Sequence, residues 1–195
     1  MHEAANAVLM KGNLHAHTTF SDGVRSPARL VAAYESRGYD FLAITDHEGW
    51  VPDEYWQALA AVPSNLLLFR GIELNYGPLS QHVGKVVGDR EVLHVLNHPA
   101  RYNLSVEDTR RRIDIITRDG LPIHAVEVTD TGRYRSEYDS ELIPVPKVAT
   151  DDAHREQHFG RAWVEVEAAL HPDAILRAIK AGDFRLGFAA PIASR

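Results

Sequence analysis

Cysteine is absent from the 195 residues of the chain, which excludes thiolate metal ligands and a cysteine nucleophile. The absence also agrees with a cytoplasmic protein, the compartment expected here. Positive charge is in short supply: 21 Lys and Arg stand against 27 Asp and Glu, a formal net charge of -6. Coating a phosphate backbone without regard to sequence needs the opposite surplus, so general nucleic-acid binding is disfavoured, while a metal-bridged phosphate substrate stays open. No apolar run approaches membrane-spanning length. Met1 to Val8, with His2 and Glu3, lacks the basic flank and apolar stretch of a secretory signal. There is no internal repeat, low-complexity tract or interdomain linker. With 45% hydrophobic and 25% charged residues, the expectation is one compact domain spanning 1–195.

What is present is an alternation. Short apolar runs at Phe41 to Ile44, Leu66 to Phe69, Val83 to Val87, Val92 to Leu96, Ile123 to Val128, Val145 to Ala149 and Trp163 to Val166 read as buried parallel strands. Amphipathic segments lie between several of them, at Pro27 to Arg37, Pro52 to Ala61, Val106 to Arg118 and Pro172 to Ala181. Ser26-Pro27 and Ser105 are helix starts, and Gly38, Gly120 and Gly182 are stops. Strands alternating with helices imply an α/β fold, either an open sheet or a barrel, between which periodicity does not choose. The polar stretch Thr129 to Pro144 reads as a long loop near the strand ends, where α/β enzymes keep their chemistry.

The chain holds 11 histidines, and several fall where apolar runs stop. In Leu14-His15-Ala16-His17 an extended backbone puts both imidazoles on one face, which is how two ligands reach one metal. Alone, such a pair is as readily a solvated strand end. Ser21-Asp22-Gly23 follows, where glycine permits a tight turn and Asp22 offers a hard oxygen ligand. Phe41 to Ile44 runs straight into Thr45-Asp46-His47, with Asp46 expected in a local hydrogen bond and His47 as a ligand. Glu73 ends an apolar strand and has two oxygens with which to bridge two ions. His82 follows a short loop, His98 closes Val95-Leu96-Asn97-His98-Pro99, and Asp152 with His154 forms another i, i+2 pair. Asp151 faces the other way and reads as a hydrogen-bonding partner. Each could be a surface residue singly, but several strand ends delivering such side chains in one direction point to a shared site.

Other histidines fit elsewhere: His2, His158 and His171 at the surface, and His94 in the core as a satisfied side chain, roughly 13 Å deeper than His98 along its strand. His124 and Glu127 have opposite strand parity, and either could support a ligand from behind. Arg110-Arg111-Arg112 reads as a solvated helical face.

Together, His15-Ala16-His17, Ser21-Asp22-Gly23, Thr45-Asp46-His47, Gly71-Ile72-Glu73, His98-Pro99 and Asp152-Ala153-His154 resemble the PHP (polymerase and histidinol phosphatase) family over Gly12 to Gly187. The resemblance implies a distorted seven-stranded β/α barrel related to the TIM barrel, with its site at the carboxyl ends of the strands. It implies three metals: the first on His15, His17, Glu73 and Asp152, the second on Glu73, His82 and His98, the third on Asp22, His47 and His154. Imidazole and carboxylate ligands without sulfur suit two to three zinc, manganese or iron ions.

The expected activity is a phosphoric ester hydrolase in which a metal-bridged hydroxide attacks a small-molecule or nucleotide phosphate ester. Glu73, Asp152, His154 and Arg101 are its expected catalytic residues, Arg101 by neutralising phosphate oxygens. Alternatives are a nuclease, a non-catalytic metal-stabilised module, and amide or lactone hydrolysis. No membrane partner is expected, and the oligomeric state is not encoded in any pattern of the sequence.

Overall fold

Phe41–Ile44 is buried at every position, as a strand must be when it lies inside a sheet covered on both faces. The computed structural model describes residues 6–189, so His2 lies outside the described residues. In chain order the elements are β1 (Val8–Asn13), α1 (Pro27–Glu35), β2 (Phe41–Ile44), α2 (Tyr55–Ala60), β3 (Leu67–Tyr76), β4 (Gln81–Val87), β5 (Val92–Leu96), α3 (Val106–Arg118), β6 (Ala125–Glu127), β7 (Thr129–Asp130), β8 (Arg133–Tyr134), β9 (Lys147–Val148), β10 (Ala162–Ala168), α4 (Pro172–Ala181) and β11 (Phe184–Phe188). The main sheet has nine strands in the order β11-β10-β1-β2-β3-β4-β5-β6-β9.

Seven of these, β1 to β6 and β9, make a ring. Just past β9, Ala153 forms a parallel bridge to Ala16, just past β1, and His17 N donates to Ala153 O at 3.0 Å. The ring is therefore closed at the carboxyl end of its parallel strands, while β10 and β11 continue the sheet outward from β1. The fold is the distorted barrel that the motifs imply, with two further strands attached.

The strand directions correct the expectation of an all-parallel sheet. β1-β2-β3 and β5-β6-β9 run parallel, but β4 is antiparallel to both its neighbours and β10 is antiparallel to β1 and β11. A continuous apolar run reports burial and not direction. β3 also runs through Glu73 to Tyr76 instead of ending there. The segment taken as a long loop holds the small β7-β8 hairpin, and β11, expected nowhere, closes the outer edge.

The helices follow their signals. Ser105 Oγ accepts from Asp108 N at 3.0 Å at the start of α3, His171 caps α4 through Asp173 N, and Gly182, in the left-handed region, ends it. Leu30, Val31 and Tyr34 of α1, Ile113 and Ile116 of α3, and Ile175, Leu176 and Ile179 of α4 face inward at helical spacing. One apolar cluster, including Met10, Phe41, Phe69, Leu93 and Ile175, fills the barrel and its α4 side; two others lie around α1 and α2 and around α3. Truncating fully buried Phe41 to Ala would cost about 3–5 kcal/mol. Among the described residues no helix is long and apolar enough to cross a membrane.

Candidate metal centre

The segments that leave the barrel strands are held to one another by backbone hydrogen bonds. Thr45 N donates to Ala16 O at 2.8 Å, Glu73 N to Asp46 O at 3.0 Å and Glu48 N to Glu73 O at 2.9 Å. These pairings fix where His15, His17, His47 and Glu73 start. Gly23 has a second reason beyond turning: a Cβ there would sit 2.2 Å from His17 O, so the Asp22 loop packs directly on the backbone of the His15–His17 segment. His98 (φ 29°) and Asp152 (φ 44°) lie in the left-handed region. For non-glycine residues that conformation costs on the order of 1–3 kcal/mol, and such strain gathers at functional sites.

Glu73 lies at the middle of the cluster, 1% exposed. Its Oε1 is 3.2 Å from His15 Nε2 and 3.1 Å from His98 Nε2. Its Oε2 is 3.0 Å from His47 Nδ1, 3.3 Å from His82 Nδ1 and 3.6 Å from His17 Nε2. Asp152 Oδ1 approaches His15 Nε2 at 3.3 Å and His17 Nε2 at 3.4 Å. On the outer side, Asp22 lies 3.2 Å from His154 Nε2, 3.5 Å from His47 Nε2 and 3.5 Å from His17 Nδ1. The structure thus brings together every side chain expected to ligate a metal, including His82.

These contacts are mostly not hydrogen bonds. Glu73 Oε2, Asp152 Oδ1, His82 Nδ1 and His98 Nδ1 are buried without a hydrogen-bond partner, although imidazoles and carboxylates crowd them. A buried carboxylate oxygen left so would cost several kcal/mol. Lone pairs that converge without hydrogen-bond angles are what a shared cation requires. Groups whose ligand atoms all lie within 4.8 Å of one another include His15, His17 and Glu73; His47, Glu73 and His82; and His17, Asp22, His47 and His154. The donor set therefore fits divalent metals. It differs from the implied grouping in bringing His82 together with His47, and His98 with His15 and Glu127.

The electrostatics follow from the surplus of acids. Burial works against charge on Glu73 and Asp152, yet His15 and its neighbours outweigh it and hold both carboxyls well below their ordinary range. Burial likewise opposes charge on His15, but Glu127, Glu73 and Asp152 raise it well above an ordinary imidazole. His47 is raised to about 9 by Asp22 and Glu73 against its burial. His17, by contrast, is lowered by burial and the adjacent His15.

A surrounding layer orients the ligands. Glu127 accepts from His15 Nδ1 at 2.7 Å, His98 N at 2.7 Å and Thr150 Oγ1 at 2.6 Å, so of the His124 and Glu127 pair it is the glutamate that reaches the site. Asn97 Nδ2 donates to Glu73 Oε1 at 2.7 Å; no signal in the sequence distinguished it. Asp46 accepts from Thr18 N at 2.7 Å, Thr18 Oγ1 at 2.7 Å and Ser21 Oγ at 2.5 Å, the local role expected of it. Asp151 accepts from Tyr34 and from the amides of Gly160, Arg161 and Ala162, as a hydrogen-bonding partner should. Arg101 bonds Asp152 and, at 3.0 Å, Asp130, both through Nη2.

Three surface or core readings change. His158 is half-buried and its Nδ1 accepts from His154 N at 3.3 Å, because the turn after His154 folds back over it. Arg112 is not merely solvated: it donates to Gln81 Oε1 at 2.9 Å and lies over the Tyr102 ring. His94 is buried as expected, but its Nε2 has no hydrogen-bond partner. His171 is exposed and caps α4.

Residues 140–184 match the PHP-associated family. A 5'-3' exoribonuclease of Haemophilus influenzae is 27% identical over 180 residues, which cover 85% of this chain and 63% of the relative. The DNA polymerase/3'-5' exonuclease PolX of Bacillus subtilis is 33% identical over 82 residues, 35% of this chain and 14% of that protein. This chain thus spans under two thirds of either curated relative. Among solved structures, a two-domain protein of Bacteroides vulgatus containing a predicted PHP-like metal-dependent phosphoesterase superposes with a TM-score of 0.72 at 18% identity, covering 96% of this chain and 67% of that one. PsfC of Pseudomonas syringae gives 0.68 at 15% identity, covering 93% and 92%. An amidohydrolase of Chromobacterium violaceum gives 0.60 at 14%, covering 94% and 99%. At these identities the superpositions speak for the fold. The family match over residues 140–184, the fold shared with these structures and the motifs in order make the chain similar to the PHP family.

Proposed function

We propose that this protein is a metal-dependent phosphoesterase acting on a small-molecule or nucleotide phosphate ester, within one domain spanning 1–195 and with two to three divalent ions in its site. The observation that carries the reading is that Glu73 Oε2, Asp152 Oδ1, His82 Nδ1 and His98 Nδ1 are buried without hydrogen-bond partners within a cluster of converging imidazoles and carboxylates. His15, His17, Glu73 and Asp152 would hold one ion, Glu73, His82 and His98 a second, and Asp22, His47 and His154 a third. When bound, such ions polarise a phosphate oxygen and make an attacking water more acidic.

The remaining work belongs to side chains. Glu73 and Asp152 fix the ligand geometry from inside the barrel. His154, half-buried between Asp22 and Asp152 and raised by them against its burial, is proposed beside the reacting phosphate. Arg101 is kept charged because Asp152 and Asp130 outweigh its burial. Among the described residues its Nε and Nη1 make no hydrogen bond, which leaves donors for phosphate oxygens. Arg101→Ala is expected to slow phosphoester hydrolysis by about a hundredfold, the scale of one lost transition-state donor, and Arg101→Lys to restore part of it. Unchanged phosphatase kinetics in Arg101→Ala would remove it from the mechanism.

A nuclease is the second reading, favoured by the exoribonuclease relative across 85% of this chain and opposed by the net charge of -6. Metal-reconstituted protein assayed on phosphomonoesters, phosphodiesters, oligonucleotides, amides and lactones separates the readings. Faster turnover of an amide or lactone than of any phosphoester would overturn the substrate class.

A further inference from the structure

Isolated exposed apolar side chains are normal on a protein surface, but Trp50 is singled out by where it stands. It is 63% exposed, and its ring centroid lies 5.8 Å from that of the proposed ligand His47. The turn that carries it is tied to the site, since Glu48 N donates to Glu73 O at 2.9 Å and Trp50 N to His47 O at 3.0 Å. Trp50, Glu48 and Asn75 form the exposed rim of a cleft of about 260 Å3 that His47, Glu73 and His82 also line. Inside it, Glu73 Oε2 and His82 Nδ1 are the buried atoms without hydrogen-bond partners.

A phosphoryl group drawn to that interior leaves the organic part of the ester against the rim. An open indole face gains most from a flat ring that covers it. Beside it, the Glu48 carboxylate and Asn75 amide can pair with hydroxyl groups, and the Glu48 charge repels a second phosphate. We infer that Trp50 is a specificity-determining residue that stacks on the base of a nucleoside monophosphate while Glu48 and Asn75 meet its sugar hydroxyls. The inference rests on the phosphoesterase reading above and names the substrate class of that same site.

The test uses the full chain reconstituted with manganese, as wild type, Trp50→Ala and Trp50→Phe. Turnover is measured on adenosine monophosphate, glycerol phosphate and a short oligoribonucleotide. Trp50→Ala should lower the ratio of kcat/KM for the nucleotide over glycerol phosphate by about tenfold or more, the scale of losing one aromatic stacking partner, and Trp50→Phe should restore most of it. A second readout needs no turnover: adenosine added in the presence of inorganic phosphate should quench tryptophan fluorescence in the wild type and not in Trp50→Phe. Quenching without hydrolysis of any phosphate would sink the phosphoesterase reading and leave the stacking role standing. An unchanged selectivity ratio, or quenching that is absent or survives in Trp50→Phe, would overturn the stacking role. Preference for the oligoribonucleotide that depends on Trp50 would keep the indole and overturn the monophosphate assignment.

Discussion

His94 and His98 belong to one stretch of chain, with His94 inside β5 and His98 just beyond it, and both are buried. Their surroundings differ. His98 emerges beside Glu73 and Glu127, whereas His94 stacks on His124 with ring centroids 5.6 Å apart, near Lys85 and Lys180. Burial lowers His94 and His124, and the lysines push further the same way. At the other end, carboxylates overcome burial and raise His15 and His47. Two histidine clusters in one barrel therefore have opposite charge demands. The distinction teaches that buried carboxylate oxygens left without hydrogen bonds, Glu73 Oε2 and Asp152 Oδ1, and not histidine density, mark the candidate metal centre.

The sharpest break of that comparison comes from Glu73 against His94. Glu73→Gln removes the charge at the middle of the cluster while keeping its shape. It should lower metal affinity and phosphoester hydrolysis by at least about a hundredfold, the upper scale for a supporting partner and so a floor for a ligand. His94→Gln should leave metal content near the wild type. Elemental analysis showing equal metal loss in both variants would erase the distinction between the two ends.

A smaller effect is expected from Glu127→Gln, because Glu127 touches His15 Nδ1 and His98 N rather than the centre of the cluster. Loss of this orienting carboxylate should weaken metal binding by about 10–100-fold, read by titration against a competing chelator. Wild-type affinity would show that the backbone alone orients His15 and His98.

The contrast between these two glutamates also measures what the sequence could reveal. Asp152 and most of the histidines were legible because the ends of parallel strands share a direction, so the residue after an apolar run has a defined place. Glu73 inside β3 and His82 at the start of antiparallel β4 reach the same end instead through the pairing of those two strands. Glu127 was legible only as a parity argument. Asn97 was not legible, since it precedes His98 without any spacing that distinguishes a support from a surface amide. Strand direction failed for β4 and β10 because burial on both faces looks the same in either direction. β11 was missed because Phe184–Phe188 is only partly buried and includes Arg185, which hides the apolar pattern of an edge strand. The closing bridge between Ala16 and Ala153 joins segments far apart in sequence, and small residues there carry no pattern at all.

The finest test sets the two histidine clusters against each other by pH in chelator-treated protein. His47, raised to about 9 in the folded chain, lies above its ordinary value of 6.5. It therefore stabilises the fold fully below pH 6.5, and that contribution fades as pH rises through about 9. His124 runs the other way: burial, then Lys180 and His94, lower it to about 4. Its contribution is present above pH 6.5 and is lost as pH falls through about 4. Thermal unfolding across this range should show both limbs, and His124→Gln should flatten the acid limb alone. His124 is half-buried, so solvent screening reduces the effect to about 1 kcal/mol, a shift of about 2–4 °C for a chain of this size. Saturating metal should remove the alkaline limb instead, because ligated imidazoles are already deprotonated. Metal that leaves the alkaline limb in place would mean that His47 is not a ligand, and an acid limb unchanged in His124→Gln would place that titration elsewhere.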